Sequence, residues 1–398
     1  MKIITKTIWI LSLVSLFTDM ASEMLYPVMP LFLKQIGYTA LFIGLLEGVA
    51  EAAAGLSKSY FGKLSDASGK RLPFIQLGYG LSAISKPMLA LLIHPLWIFS
   101  SRTIDRLGKG IRTGARDALL SDEATPATKA TVFGFHKSMD TAGAVLGPSI
   151  ALLYLYFYPE DYTRLFLLAF LPGVVATFFT LFIKEKKQTL ARVKKNNPVN
   201  FFAFTAYWKN SSANYKKLLP GLMVFAMVNS SDVFLLLKMK ENGLSDTLII
   251  ALYIFYNLIY ALSAYPLGKL ADRLGYKKIL ITGLFLFALV YAGFSFANQL
   301  WLYMALLLLY GLYAAATEGI AKAWISNIAA RHETATAIAT YSGFQSLAAL
   351  LASSIGGFLW YRFGSFTTFA VTALVTLAVI IYLSLATIYE TNTIKKPA

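Results

Sequence analysis

The segment SRTIDRLGKGIRTGARDALLSD, residues 101–122, places Arg102, Asp105, Arg106, Lys109, Arg112, Arg116 and Asp117 within five helical turns. Guanidinium and ammonium groups at this density bind anions or pair with acids, and an aspartate among them can hold a proton or a cation. The run follows PLWIFS in a chain that is 57% hydrophobic and only 14% charged. On a helix advancing about 100° per residue, Arg102, Asp105, Arg106, Lys109, Arg112 and Arg116 share an arc of about 120°. With a rise of ~1.5 Å per residue from Pro95, Asp105 and Arg106 lie about 15 Å along it, near the middle of a ~30 Å hydrocarbon layer. A charge facing lipid there costs about 2.5 kcal/mol or more, so the stripe faces a wet path or partner charges. Two roles fit Arg102, Asp105, Arg106 and Lys109: a ladder of internal ion pairs, or the lining of a solute path. Arg112, Arg116 and Asp117 fall nearer the inner surface, where gating or topology suits them better.

Further acids are spaced i, i+4 and so share helix faces: Asp19 with Glu23, and Glu47 with Glu51. His136 and Asp140 repeat the spacing. Carboxylates and imidazoles in such places load and release protons, or else stay paired with arginine. Asp19 is the first candidate proton carrier, with Glu23, Asp140 and His136 beside it, and Glu51 is placed with the solute path. Lys58 and Lys322 can snorkel to the inner surface, whereas Lys86 lies too deep and needs a partner. Asp232 and Glu318 are the clear acids of the later spans; that half otherwise offers aromatics and amides such as Tyr256, Asn257, Tyr341 and Gln345, and most of the aromatics read as packing. With no cysteine and three histidines, no metal site is assigned.

The elements that must carry these residues are apolar runs of about 20 residues, long enough to cross a bilayer. Twelve are read, near 7–34, 39–61, 72–93, 95–117, 128–157, 162–183, 218–240, 246–267, 277–297, 300–325, 333–361 and 366–388. They are helices, because lipid offers backbone groups no partner. The first resembles a signal peptide but continues past Asp19 and Glu23, so it is read as a retained span. Lys and Arg concentrate in the loops that an inside N-terminus leaves inside, which puts both termini in the cytoplasm. The net charge of +16 is therefore a topological signal, and no nucleic-acid partner is implied. The polar stretch 184–217 separates an N-terminal bundle, 1–183, from a C-terminal one, 218–398. Its aromatic patch, Phe201 to Trp208, fits an amphipathic segment on the inner leaflet as well as it fits a plain linker.

The halves repeat. GKLSDASGKR starts at Gly62 between spans 2 and 3, and GKLADRLGYKK starts at Gly268 between spans 8 and 9. The pattern resembles the loop signature G-x-x-x-D-R/K-x-G-R/K-R/K of the major facilitator superfamily. Gly62, Asp66, Gly69, Lys70 and Arg71 match it, as do Gly268, Asp272, Arg273, Gly275, Lys277 and Lys278. Ala67 stands where the signature has a base, and Tyr276 interrupts the second basic run. Span 5, with Gly134, Gly143, Gly147 and Pro148, resembles the superfamily's antiporter motif up to the Gly-Pro pair. Arg102 is similar to the superfamily's span-4 arginine, although Arg106 replaces the glycine expected four positions on. The string DRLGKGIR resembles a bacterial and archaeal subgroup whose relatives include nickel-resistance permeases.

The resemblance implies an all-α membrane protein of 12 transmembrane helices, with two pseudo-symmetric six-helix bundles around a central cavity. It implies a monomer in the bacterial inner membrane that moves a small solute by alternating access, with the proton gradient as energy source and no bound cofactor. The loop motifs would act as gates, and the glycines of span 5 associate with export. The basic stripe favours an anionic or zwitterionic organic solute. Export of a divalent metal such as nickel, cobalt or iron, or movement of a siderophore or metal chelate, is the alternative. No H-E-x-x-H, G-x-S-x-G, P-loop or dinucleotide fingerprint is present, so an enzyme is not expected.

Overall fold

A computed structural model describes residues 3–26, 28, 29, 32, 33, 36, 37, 54, 55, 57–185, 203–230 and 232–388. Helix α1 (Lys6–Leu25) starts where Thr5 Oγ1 accepts the Ile8 N–H. Residues 57–68 belong to α2; then follow α3 (Leu72–Leu91), α4 (Pro95–Glu123), α5 (Lys129–Phe157) and α6 (Tyr162–Thr180). Asp161 caps α6 through the Arg164 N–H, a serviceable stop-and-start for a tight connection. The linker carries α7 (Ala203–Asn210). The seventh predicted span is two pieces, α8 (Ala213–Ala226) and α9 (Val233–Glu241). Then come α10 (Asp246–Leu274), α11 (Tyr276–Phe296), α12 (Leu300–Ile328) and α13 (Thr334–Leu385). The last two predicted spans lie on α13, which breaks at Gly364, φ +83°.

Seven of the described helices are long and apolar enough to cross a membrane, so the chain is a multi-pass membrane protein. Leu96, Leu171, Phe178, Phe285, Phe296 and Ile381 point outward, as a lipid-facing surface requires.

By compactness the chain forms two units. The first comprises Met1–Glu123, Met139–Asn210 and Ala330–Ser346; the second comprises Ala124–Ser138, Ser211–Ala329 and Leu347–Ala398. Each unit thus takes a short helical segment from the other half of the sequence. The apolar core of the first is built from Met24, Leu25, Phe32, Leu89, Ile98, Leu165 and Phe166, with Phe32 and Phe166 edge to face at 5.0 Å. The second is held by aromatic rings: Phe225, Phe287, Tyr291, Phe294 and Phe369 interlock, with Phe287 and Tyr291 stacked at 4.2 Å. Such pairs contribute about 0.5–1.5 kcal/mol beyond area burial.

Candidate functional site

The charged stripe of α4 is largely folded into the first unit. Arg102, Asp105 and Arg112 are buried, Arg106 is half-buried and Lys109 is exposed. Lys86 of α3 meets Asp105 Oδ1 at 2.7 Å and Ser22 Oγ at 3.2 Å, while Arg102 lies 3.8 Å from Asp105 Oδ2. A buried carboxylate with two cations is a tight network, since losing one member leaves a charge without compensation. Arg112 donates to Ser82 Oγ at 2.6 Å and stacks over the Tyr79 ring at 4.5 Å. Arg116 pairs with its neighbour Asp117 at 2.8 Å. Lys86 was expected to need a partner, but which acid would supply it was not readable from one helix alone.

Of the candidate proton groups, Asp19 and Glu23 of α1 and Asp140 of α5 lie in the first unit, and His136 of α5 lies in the second. Ser15 donates a short hydrogen bond to Asp140, and Asp19 lies one turn further along the same face of α1. Gly143 and Gly147 of α5 sit directly on α1; a Cβ at Gly143 would run into the Leu16 carbonyl, and one at Gly147 into that of Met20. Glycine at these places lets two backbones approach and sets Asp140 beside Ser15. Asp19, Glu23 and Asp140 are half-buried, and His136 is buried. Gly134 packs elsewhere, against Ala264 and Gly268 in the second unit, and Pro148 lies inside α5. Glu51 and Glu47 lie outside the described residues.

The loop motifs form a matched pair. In the first unit, buried Asp66 accepts both the Thr336 N–H and its hydroxyl at 2.6 Å, at the first turn of α13. Arg71 holds the other oxygen at 2.5 Å and donates to Ser65. In the second unit, Asp272 accepts the Ala130 N–H at 3.0 Å and the Thr131 N–H at 2.7 Å, at the first turn of α5. Unpaired N–H groups and the positive end of the helix dipole make a helix start an anion site. Each aspartate supplies that anion to a helix of the other sequence half. Gly62 and Gly268 make room for it: a Cβ on Gly62 would meet Ala335 and Ala339, and one on Gly268 the Ala130 carbonyl. Gly69 and Gly275 turn the chain behind each aspartate with φ +65° and +97°, a conformation that other residues adopt at a cost. Tyr276, an interruption in the sequence motif, has a job: its hydroxyl lies 3.2 Å from Asp272. Lys70 and Arg273 belong to the two loops, and Lys277 reaches the Ser384 and Ala386 carbonyls.

Other partners were not anticipated. Glu185 accepts the Arg71 and Leu72 N–H groups at 2.7 and 3.1 Å, fastening the end of the sixth span to the start of α3. Lys58 does not snorkel; it is buried and donates to Ser346 at 2.6 Å. Burial and the nearby acids Glu333 and Asp66 push the Tyr207 phenol up, which sets linker helix α7 close to the first clasp. In the second unit Lys137 pairs with Glu318 at 3.1 Å. Lys137 sits one residue from His136, and a lysine inside an apolar span was the available signal.

A multi-helix membrane protein with a twice-used aspartate clasp defines a class, and comparison with known proteins agrees. The model of the Major Facilitator Superfamily matches residues 11–242 and 218–397, so the chain belongs to this family of transporters. An uncharacterized MFS-type transporter, MJ1317, of Methanocaldococcus jannaschii is 32% identical over 363 residues, covering 90% of this chain and 89% of that one. The multi-drug resistance efflux pump PmrA of Streptococcus pneumoniae is 24% identical over 373 residues, 90% of each chain. The crystal structure of the human organic anion transporter MFSD10 (TETRAN) superposes with a TM-score of 0.81 at 16% identity, covering 95% of this chain and 98% of that one; it establishes the fold. The protein is therefore a transporter with this fold, and the enzyme class is set aside.

Proposed function

We propose that the chain is a proton-coupled secondary transporter of the inner membrane, with both termini cytoplasmic, that exports a small organic anion or zwitterion by alternating access. Two six-span halves, 1–183 and 218–398, joined by the 184–217 linker, are its moving parts. The observation that carries the reading is the pair of aspartate clasps, Asp66 on Thr336 and Asp272 on Ala130 and Thr131. Bonds of this kind, from a carboxylate to a helix start, form and release without covalent chemistry, as a gate must. The solute path is assigned to the α4 stripe. Lys109 is exposed and Arg106 half-buried, so they are the groups that meet a solute, while Arg102 and Asp105 are set by Lys86. Asp19, Glu23, Asp140 and His136 are assigned the proton. The close seat of α5 on α1 supports this, because a shift of either helix changes the setting of Ser15 and Asp140. Export is supported by the antiporter-like glycines and by the efflux role in the name of the pneumococcal relative. Metal export has no comparable observation in its favour; among the described residues no group of three or more His, Cys, Asp or Glu gathers.

The test is a thermal-shift screen of purified protein with benzoate, glycine betaine and NiCl2, since a ligand of the native state raises the melting temperature by mass action. Stabilisation by an organic probe, lost in Arg106→Gln, supports the path. Stabilisation by Ni²⁺, lost in Asp19→Asn, would transfer the assignment to metals. The active probe is then applied to proteoliposomes loaded with a pH-sensitive dye: Asp19→Asn must abolish solute-driven proton movement while leaving binding in place.

A further inference from the structure

Helix α8 ends at Ala226 and α9 begins at Val233, so the backbone of the seventh predicted span is interrupted within the second unit. Asp232 stands at the interruption, in the N-cap position of α9, yet its side chain makes no cap. It turns to two phenols instead: Tyr256 donates to Oδ2 at 2.5 Å and Tyr310 to Oδ1 at 2.7 Å. These rings, from α10 and α12, lie 5.3 Å apart, and Tyr253 extends the wall from α10. Asp105 has Lys86 and Arg102, and Asp66 has Arg71, but among the described residues no Lys, Arg or His forms an ion pair with Asp232. The charged group near enough to act on it is a second acid, Glu318, whose own charge Lys137 offsets at 3.1 Å. The recess lined by Asp232, Tyr256 and Tyr310 therefore holds a carboxyl that no basic side chain among the described residues pairs with. Asp232 is only partly covered, and the Glu318 side chain is 46% exposed.

We propose that Asp232, Tyr256 and Tyr310 form a subsite for the positively charged nitrogen of an organic solute, the ammonium end of a zwitterion. A carboxylate supplies the countercharge, and the faces of phenol rings attract a cation electrostatically. An ionised carboxylate accepts about four hydrogen bonds, so both phenol bonds persist when the cation arrives. Broken helices in transporters expose polar backbone where a ligand lies, and the gap between α8 and α9 provides that setting. A divalent metal would find one carboxylate not already paired with a lysine, too few hard oxygen ligands for tight binding. The inference rests on the transport reading and narrows its solute to the zwitterion, but binding to purified protein needs no gradient and so is tested apart from it.

The experiment titrates the purified full-length protein with benzyltrimethylammonium and with its neutral carbon isostere, neopentylbenzene. The cation is expected to bind about tenfold tighter or more, a preference that Asp232→Asn removes and Tyr310→Phe, which keeps the ring, leaves within about threefold. The wild-type protein gives a second readout that needs no variant to fold: carbodiimide modification of Asp232, located by peptide mass, is expected to slow at least about threefold in saturating cation and not with the isostere. Equal affinity for the two isosteres, unchanged binding in Asp232→Asn, or protection by sodium chloride in place of the organic cation would each overturn the assignment. If solute-driven proton movement fails while this binding stands, the coupling mechanism falls and the subsite remains.

Discussion

Asp105 has two cationic neighbours in a place where water is scarce, and its worth is best measured by removal. Asp105→Asn leaves Lys86 buried beside a neutral amide and is expected to cost about 3–5 kcal/mol, the usual penalty for half of a buried ion pair. Adding Lys86→Met should recover most of that loss, read as the melting temperature of the purified protein in detergent. A double variant no better than the single one would show that the two side chains are not energetically coupled. At this scale the sequence revealed the charges and concealed the pairs. Helical spacing put Arg102 and Asp105 on one stripe, but Lys86 belongs to another helix, and nothing in a single sequence says which helices touch. The same holds for Lys137 with Glu318, residues from opposite halves of the chain.

At the scale of elements, loop and helix start act together. The chain lacks cysteine, so one introduced thiol reports on one place. With Thr334→Cys, buried at the start of α13, Asp66→Asn is expected to raise the rate of maleimide labelling several-fold; a contact of this type contributes about 0.3–2 kcal/mol. An unchanged rate would mean that Asp66 does not hold that helix start. The contact between α1 and α5 predicts a different outcome. Gly143→Val forces α1 away from α5 and should abolish coupled transport even where a folded protein is recovered, whereas Leu146→Val, on the exposed side of α5, should not. Elements were easier to read than pairs. Apolar length revealed the helices, and the final two spans separate at Gly364, inside the gap left between residues 361 and 366. The break between α8 and α9 has its signal in VNSSDVF, a cluster of Asn, Ser and Asp that competes with helix, but the apolar run on either side outweighs it.

For the whole molecule, the proposed orientation rests on the bias of Lys and Arg toward one set of loops. Glu160→Cys, in the exposed turn after α5, should react with an impermeant maleimide applied to intact cells, and Lys70→Cys should react only after the membrane is opened. The opposite pattern would overturn the proposed orientation, which puts both clasps on the cytoplasmic side. Those clasps are reciprocal. Asp66 grips the start of a late helix, and its counterpart Asp272 grips the start of the early helix that corresponds to it. Reciprocity of this kind is what two copies of one shorter chain would make across a two-fold axis, each contact occurring twice by symmetry. Fusion into a single chain removes the obligation to be identical. One copy can keep a guanidinium behind its aspartate while the other adopts a phenol, as Arg71 and Tyr276 do. The two clasps can then differ in strength while holding equivalent helix starts.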